Sequence, residues 1–380
     1  MAKQDNILRL EAPVLAEKLG LLKRFGEENP AIPAHKCVRL IARGGKLYLT
    51  YGTGSSSMTT TMAVPEHLNH NVCVDHRPLH NMVETMSGEV SIEVIGEEAK
   101  AVIRNKKTRA EMECHSGKIY PSPEKLEDTT VLQLSTHEAK MLAHALKRAA
   151  PFICTNDAKS DPYHAWVMPG GSCQTIVAAY DGLGSIYIEE NNEVPAPSKP
   201  IMFTSKQINM ASAMMLNVEP MSIALSNGWV SLSSHVEKVQ LRRRQTENFM
   251  IDNMPRILTN LFDLTIKTET EPLMAFLRQA LSLPKDAIEN EPHILQWVDN
   301  TFVYKFDKAV LRTELDMEPA DQVAQIIQRK GFSVPLLKRA VDALDTTHLH
   351  MNIGLNPNDF LYIRGVDYPD RLVVVAPSQL

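Results

Sequence analysis

The chain has 380 residues, of which 44% are hydrophobic and 22% charged, which is typical of a globular protein with a sizeable core. The formal net charge of −5 excludes a uniformly basic nucleic-acid-binding protein but leaves room for a locally basic surface. The five separated cysteines favour free thiols in a reducing compartment over a disulfide framework. Because the sequence starts without a signal peptide and lacks the ~20 apolar residues of a membrane span, we expect a cytoplasmic protein without membrane association.

A helix followed by two alternating strands occurs three times along the chain. The helices are predicted at residues 76–86, 204–217 and 333–345, so that they start 128 and 129 residues apart. After each helix, apolar and polar residues alternate, which indicates strands with one buried face. The period is about the length of one small domain.

A second set of helices precedes the first set in each period. These helices are predicted at residues 12–26, 136–152 and 271–284, and strand-like stretches lie between the two sets. The sequence therefore predicts an α+β fold of three similar domains, each with two helices packed on small antiparallel sheets. The predicted domains are residues 1–125, 126–248 and 249–380.

Lysine and arginine residues lie on the polar sides of these helices. In the 136–152 segment, Lys147 and Arg148 share one arc while alanine, leucine and phenylalanine occupy the rest. For any single helix, a solvated outer face is the simplest interpretation. Repetition in an acidic chain favours a positive surface that attracts phosphates. The helix positions concerned are Lys23, Arg24, Arg77, Lys147, Arg148, Lys206, Arg278, Lys338 and Arg339.

Other motifs restrict the kind of function. Aromatic residues make up only 6% of the chain and do not alternate with basic ones, so a base-stacking platform for single strands is not expected. No recognition-helix, zinc-finger or basic-zipper pattern occurs, which points to phosphate contact without base reading. No GxSxG, HExxH or Walker motif is present. We therefore predict no catalytic residues, no metal and no cofactor.

The order of these features resembles that of the bacterial sliding clamps, the beta subunit of DNA polymerase III. The resemblance covers essentially the whole chain. It rests on the Lys-Arg-Ala-Val-Asp-Ala-Leu segment (338–344), on Val374-Val375-Ala376-Pro377 near the terminal Leu380, and on the Tyr180-Asp181-Gly182 turn. Phe249, followed by Met254-Pro255, matches the segment that joins the second and third domains in the family.

The resemblance implies a processivity factor that catalyses no reaction. A head-to-tail homodimer would form a ring around double-stranded DNA, with the helices lining the hole, and would tether the polymerase during replication. DNA contact would be independent of sequence. DNA polymerase and the clamp loader would bind through short peptide motifs. The resemblance also adds Lys159 to the residues expected near DNA.

Two further sites are implied by the resemblance. The peptide groove between the second and third domains would be formed by Gly182, Leu183, Ile186, Met250, Pro255, Val374, Ala376 and Pro377. The dimer interface would be formed by Ala110, Met112, Leu281 and Leu283. Ile186 and Val374 could equally be core residues.

The sequence also departs from the family pattern at several positions. The Asp-Gly turn continues as DGLGSI without the usual histidine and arginine, and the interface strand offers the small Ala110. These departures suggest a phage or mobile-element version. Two other classes remain open: an α+β small-molecule enzyme or sugar-binding protein, and a clamp-like protein adaptor that does not encircle DNA.

Overall fold

The same order of elements occurs three times in the protein: a strand, a helix, four strands, a second helix and three strands. The computed structural model describes residues 7–26, 30–95, 100–120, 129–153, 164–171, 174–182, 184–216, 219–226, 228–242, 264–283, 294–298, 301–306, 309–318, 330–354 and 358–378. We call the three series of elements repeats 1, 2 and 3.

The elements have the following bounds. Repeat 1 consists of β1 (Ile7–Glu11), α1 (Ala12–Leu22), β2 (Cys37–Arg43), β3 (Lys46–Gly52), β4 (Ser56–Ala63), β5 (His70–Asp75), α2 (His76–Glu84), β6 (Glu89–Ile95), β7 (Lys100–Arg104) and β8 (Arg109–Ser116). Repeat 2 consists of β9 (Thr129–Leu134), α3 (Thr136–Ala149), β10 (Ala165–Pro169), β11 (Gln174–Tyr180), β12 (Ser185–Pro195), β13 (Ile201–Phe203), α4 (Ser205–Leu216), β14 (Met221–Ser226), β15 (Trp229–Ser233) and β16 (Glu237–Arg242). Repeat 3 consists of β17 (Leu264–Glu269), α5 (Thr270–Ser282), β18 (Ile294–Val298), β19 (Thr301–Phe306), β20 (Ala309–Glu314), the added β21 (Met317–Glu318), β22 (Lys330–Ser333), α6 (Val334–Leu344), β23 (His348–Ile353), β24 (Leu361–Gly365) and β25 (Arg371–Val375).

The α-helices of the described residues lie on the six predicted segments, which confirms the predicted α+β pattern. Two helices are shorter than predicted because each ends in a 3-10 turn. After α1 the turn is Lys23–Phe25, and after α3 it is Ala150–Phe152. Pro151 has no backbone N–H to continue the α-helical hydrogen bonding. None of the described helices is both long and apolar enough to span a membrane.

The chain divides into two compact units. Unit 1 contains Met1–Thr136 and Ala213–Arg244, and unit 2 contains His137–Ser212 and Gln245–Leu380. The three domain boundaries expected from the sequence stay a prediction, because both units include elements of repeat 2.

Unit 1 contains one antiparallel sheet in its described residues. The strand order of this sheet is β1-β6-β7-β8-β5-β2-β3-β4-β16-β15-β14-β9. The pairing of β4 with β16 joins a strand of repeat 1 to a strand of repeat 2. Helices α1 and α2 pack on each other through residues such as Leu19 and Leu79, which are at most 1% exposed.

Unit 2 contains two sheets in its described residues. One has the order β13-β10-β11-β12-β25-β24-β23-β17-β21, and the other has the order β20-β19-β18-β22. The pairing of β12 with β25 joins repeats 2 and 3. The small sheets expected from the sequence are therefore merged into longer ones. A strand edge that would otherwise expose unpaired N–H and C=O groups is covered by a strand of the next repeat.

Candidate functional site

In unit 1, two of the predicted basic residues line one surface pocket. The pocket measures about 500 Å³, and its lining includes Lys23, Arg77 and also Lys36, a lysine that the sequence interpretation missed. Lys23 and Arg24 are exposed in the 3-10 turn after α1, and Arg77 is exposed in the first turn of α2. Their ammonium and guanidinium groups are therefore accessible to an anion.

The local structure explains why these side chains are held at the surface. Asp75 caps α2 by accepting a hydrogen bond of 3.2 Å from the Arg77 amide. The buried His76 ring donates from Nε2 to the Leu19 carbonyl oxygen at 2.9 Å, which ties α2 to α1. The same ring stacks on Tyr51 at a centroid distance of 4.2 Å. Burial, the largest influence, lowers the pKa of His76 and keeps the imidazole neutral.

In unit 2, the two adjacent basic residues of α3 have different environments. Lys147 is exposed, whereas Arg148 forms two hydrogen bonds with the buried carboxylate of Glu189. The Arg148 Nε donates to Glu189 Oε2 at 2.9 Å, and the Tyr187 hydroxyl donates to the same oxygen at 2.5 Å. Burial opposes the charge of Arg148, but the hydrogen bonds and negative charge of Glu189 raise the pKa of the guanidinium overall. Arg148 therefore neutralises a buried carboxylate within the protein.

The basic residues of α6 also have acidic partners. Lys338 forms an ion pair of 2.5 Å with Asp342 on the same helix. Arg339 donates from Nη1 to Oδ2 of the buried Asp181 at 2.8 Å. The Arg339 guanidinium carbon also lies 6.0 Å from the centroid of the Phe152 ring. In α3 and in α6, one arginine thus binds a buried carboxylate in or next to β12.

A second pocket, of about 720 Å³, lies beside these residues in unit 2. Its lining includes Arg148, Lys338 and Arg339, together with Tyr368 and Arg371, which the sequence interpretation missed. The Arg371 guanidinium lies over the Tyr368 ring at 3.8 Å, and its Nε is buried without a hydrogen-bond partner within the described residues. A guanidinium on an aromatic ring at a strand start leaves no recognisable pattern in the sequence.

The remaining predicted phosphate contacts lie elsewhere. Lys206 is exposed in the first turn of α4. Arg278 is exposed on α5, where its Nη1 lies 3.4 Å from a carboxylate oxygen of the exposed Glu271. Lys159 lies outside the described residues.

The predicted peptide groove is built on the pairing of β12 with β25. Ile186 is directly opposite Val374 in this ladder, and the Ala376 amide donates to the Gly184 carbonyl oxygen at 2.7 Å. Gly182, Ile186, Ala376 and Pro377 are half-buried. The structure thus brings these residues together in unit 2. Leu183, Met250 and Pro255 lie outside the described residues.

Val374 contributes to the core beneath this surface. Its side chain is 2% exposed and packs in a cluster with Trp166, Met168 and Tyr362, while Ile186 packs against the edge of the same cluster. Of these two residues, only Ile186 therefore offers part of its surface to a partner.

A turn at one end of β12 is held by the Asp181 carboxylate. Asp181 accepts hydrogen bonds from the amides of Gly184 (3.0 Å) and Ser185 (2.9 Å) and from the Ser185 hydroxyl. Gly182 and Gly184 have positive φ angles of 69° and 118°, a conformation that glycine adopts without steric cost. The Asp-Gly sequence thus forms a defined turn that Arg339 reaches from α6.

The four predicted dimer-interface residues are half-buried. Ala110 and Met112 lie on one face of β8 in unit 1. In unit 2, Leu281 is in the last turn of α5 and Leu283 follows the end of the helix. Leu281 also lines the 720 Å³ pocket.

The fold can be compared with those of known proteins. No protein-family model matches the chain, and no curated protein matches its sequence. The DNA polymerase sliding clamp of Caulobacter crescentus is 15% identical, with a TM-score of 0.83 over 98% of this chain and 100% of that one. The DNA polymerase III subunit beta of Pseudomonas aeruginosa is 14% identical, with a TM-score of 0.82 over the same shares. A sliding clamp from the same organism, bound to griselimycin, is 14% identical, with a TM-score of 0.81 over 98% of this chain and 99% of that one. The chain has the α+β fold of the DNA polymerase III beta subunit sliding clamps.

Proposed function

We propose that the protein is a DNA sliding clamp that encircles duplex DNA as a head-to-tail homodimer and tethers a DNA polymerase for processive synthesis. The protein would act by binding and enclosure and would catalyse no reaction. The fold shared with sliding clamps supports this function. The observation that carries it is a regular pairing of strands between consecutive repeats. Within the described residues, β20 of repeat 3 and the Arg109–Glu113 part of β8 in repeat 1 have a neighbouring strand on one side only, which leaves both available to a second copy.

The regular pairing is described by two rows of residues in each repeat. A row consists of residues that lie opposite one another on successive strands of a sheet. One row starts four residues before the first helix of the repeat and ends on its last strand. These rows are Leu8–Ile92–Ile103–Ala110, Leu132–Ile223–Leu232–Val239 and Ile266–Met351–Ile363–Val373. Ala110, Val239 and Val373 are therefore equivalent positions.

The other row starts two residues before the second helix of each repeat. In repeat 1 it runs from Val74 to Val38, and the register of Arg39 with Thr50, continued by one residue, leads to Tyr51, which pairs with Met58. In repeat 2 it runs from Phe203 through Ala165 and Ala179 to Tyr187. In repeat 3 it runs from Phe332 through Leu295 and Tyr304 to Leu311. Met58, Tyr187 and Leu311 are equivalent in the same sense.

Between repeats, equivalent residues pair with each other. Met58 of repeat 1 pairs with Val239 of repeat 2, and Tyr187 of repeat 2 pairs with Val373 of repeat 3. The same rule requires Leu311 of repeat 3 to pair with the equivalent of Val239 and Val373, which is Ala110. Within the described residues, β20 pairs only with β19. A second copy of the chain would supply β8 and so make the dimer head-to-tail.

Exposed cations on the helices support contact with DNA. Lys23, Arg24, Arg77, Lys147, Lys206 and Arg278 are all exposed, and such groups bind phosphates without reading sequence. Lys338, Arg148 and Arg339 already have carboxylate partners. That pairing favours the second candidate, a clamp-like adaptor for proteins that no longer holds DNA.

The half-buried residues around Gly184 support binding of partner peptides from the polymerase and the clamp loader. Ile186, Ala376 and Pro377 offer apolar surface beside a strand ladder, which suits an extended peptide with one or two hydrophobic anchors. A panel of fluorescein-labelled hexapeptides with leucine or phenylalanine anchors tests this site by fluorescence polarisation. Griselimycin, bound to one of the clamps of the same fold, serves as a competitor.

Retention on DNA distinguishes the candidate functions. The protein is loaded on nicked circular DNA, washed at increasing salt, and then the DNA is linearised. A sliding clamp is retained on the circle and released after linearisation, because it can slide off a free end. An adaptor or a small-molecule enzyme is not retained on the circle, and retention that survives linearisation rejects enclosure.

A further inference from the structure

The Asp181 carboxylate organises the turn that forms one wall of the proposed peptide groove. Asp181 is 3% exposed and accepts hydrogen bonds from the Gly184 and Ser185 amides and from the Ser185 hydroxyl. A buried carboxylate is stable only when its charge is compensated by hydrogen bonds and a cation. The conformation of this turn therefore depends on what neutralises Asp181.

The cation is Arg339, which comes from a different element. The Arg339 Nη1 lies 2.8 Å from Asp181 Oδ2, although the two residues are separated by 158 positions in the chain. The guanidinium is further held over the Phe152 ring, and the Arg339 side chain is only 28% exposed. Helix α6 thus fixes the charge that stabilises the turn.

The Asp181–Gly184 turn also fixes the position of the C-terminal segment at Ala376. The Gly184 carbonyl oxygen accepts the Ala376 amide at 2.7 Å, and a Cβ atom at position 184 would lie 2.9 Å from the Ala376 Cβ and 3.9 Å from Leu336 Cδ1. Because the backbones approach so closely, a shift of the turn must displace Ala376. Both walls of the groove, the turn and the tail, therefore depend on Asp181.

We propose that Arg339 is a positioning residue of the peptide groove, which holds the Asp181–Gly184 turn and, through it, Ala376 in the geometry that binds a partner peptide. This role rests on the proposed peptide-binding function of the groove. It differs from the phosphate contact expected from the sequence, because the guanidinium donates to a protein carboxylate. It also connects helix α6, which carries Lys338 and Arg339 of the 720 Å³ pocket, to partner binding.

Lys338 provides a matched control. It precedes Arg339 on α6, carries the same charge, lines the same pocket and is also paired with an aspartate, Asp342. Its partner lies on the same helix, and within the described residues the hydrogen bond and ion pair of Asp342 are formed with Lys338. A change at Lys338 therefore alters the charge of α6 without altering the compensation of Asp181.

The test measures peptide affinity and backbone protection in the full-length protein. The probe is the tightest-binding fluorescein-labelled hexapeptide of the panel described above. Arg339→Gln is expected to weaken peptide binding by about tenfold or more, since a buried carboxylate loses its cation. Lys338→Gln leaves the affinity within about twofold, because it changes an exposed pair. Arg339→Lys recovers part of the affinity, because lysine restores the charge but not the planar donor geometry.

A double variant separates positioning from general damage. Asp181→Asn keeps a side-chain oxygen to accept the turn amides and removes the buried charge, so Arg339→Gln combined with Asp181→Asn is expected to bind the peptide better than Arg339→Gln alone. Because removal of the buried charge would also restore a variant that only unfolds, circular dichroism and urea unfolding must show that Arg339→Gln is folded under the conditions of the binding assay. Arg339→Gln with unchanged peptide affinity overturns the proposal.

Hydrogen–deuterium exchange tests the positioning even if no peptide binds. Arg339→Gln is expected to accelerate amide exchange in the proteolytic fragments of the protein that cover residues 181–186 and 372–378, relative to Lys338→Gln. If the wild-type protein binds no peptide but this acceleration is found, the groove function fails while Arg339 still positions the turn. Equal exchange in the two variants overturns the positioning role.

Discussion

Glu189 accepts both hydrogen bonds of the Arg148 guanidinium, through Oε2 at 2.9 Å from Nε and through Oε1 at 2.5 Å from Nη2. The carboxylate belongs to a residue that is 2% exposed, and it also accepts the Tyr187 hydroxyl. Burial, together with the negative charge of Glu189, raises the pKa of Tyr187, so the phenol remains a donor. This network joins the end of α3 to β12 inside unit 2.

Truncation of Arg148 should therefore affect stability rather than DNA binding. Arg148→Ala leaves the buried Glu189 carboxylate without its cation, and we expect the free energy of unfolding of the transition that includes unit 2 to fall by about 3 kcal/mol or more. Lys147→Ala, at the exposed neighbouring position, should change it by less than about 0.5 kcal/mol. Urea unfolding followed by circular dichroism measures both. Equal effects of the two variants would contradict the assigned role of Glu189.

Exposed cations of unit 1 should control the salt dependence of DNA retention. Lys23→Glu combined with Arg77→Glu removes from the 500 Å³ pocket two side chains that could each neutralise a phosphate. The slope of log affinity against log salt should then become shallower by about 1 for each phosphate that is no longer neutralised. Lys46→Glu makes a charge reversal at the exposed start of β3, outside the lining of this pocket, and serves as the control. An identical salt slope for the pocket variant and the control would remove this pocket from the DNA-binding surface.

Acidification should weaken unit 1 through His76. Burial lowers the pKa of His76 below its ordinary value of 6.5, so the unfolded chain binds a proton at a pH where the folded chain does not. The stabilising effect of the neutral ring is therefore complete above pH 6.5 and is lost as the pH falls from there through the folded-state pKa.

Substitution of His76 isolates this effect. In His76→Gln, the loss of stability between about pH 7.5 and 5.5 should be smaller than in the wild-type protein, although stability at the upper pH falls with the loss of the stacking on Tyr51. Thermal unfolding of both proteins across this pH range provides the measurement. The same pH dependence in both would assign the effect to other groups.

Local sequence patterns predict the helices but not the hydrogen bonds at their ends. The 3.6-residue periodicity locates all six described helices, and Thr204 forms a reciprocal capping arrangement with Gln207, whose side chain accepts the Thr204 amide at 3.0 Å. Ser333 occupies an N-cap position but makes no side-chain hydrogen bond to the helix. A Ser or Thr before a helix start therefore does not by itself imply a capping hydrogen bond, because that bond depends on the side-chain rotamer.

Partners that are distant in sequence could not be predicted. Lys147 and Arg148 occupy the same polar arc, and only the structure shows that one is exposed and the other meets Glu189, 41 residues away. The sequence of β12 could have indicated such a partner. Glu189 follows Tyr187 by two residues and therefore lies on the same, buried face of the strand, and a carboxylate on a buried face requires a cation. The pairing of strands between repeats had no local signal at all.

Removal of the C-terminal residues should abolish partner binding without affecting the dimer. Deletion of residues 377–380 removes Pro377 from the groove and eliminates the bond from the Ser378 amide to the Gly331 carbonyl oxygen, which is 2.8 Å long. The ladder between β12 and β25 ends before the deletion and should persist. Fluorescence polarisation with the labelled hexapeptide and sedimentation of the variant test the two halves of the prediction. Undiminished peptide affinity would exclude the tail from the site.

Dimer formation should depend on one face of β20. Leu311 is half-buried and is the position that the pairing rule matches with Ala110 of a second copy, whereas the neighbouring Val310 is 49% exposed on the opposite face. A carboxylate at position 311 would be buried against β8 without a cation, so Leu311→Asp should convert the dimer into a folded monomer. Val310→Asp should leave the dimer intact, because that side chain can remain in water. Sedimentation equilibrium across a dilution series, with circular dichroism to check folding, decides between them. A wild-type protein that is monomeric at every concentration, or a dimer that survives Leu311→Asp, would exclude the third pairing and with it the ring.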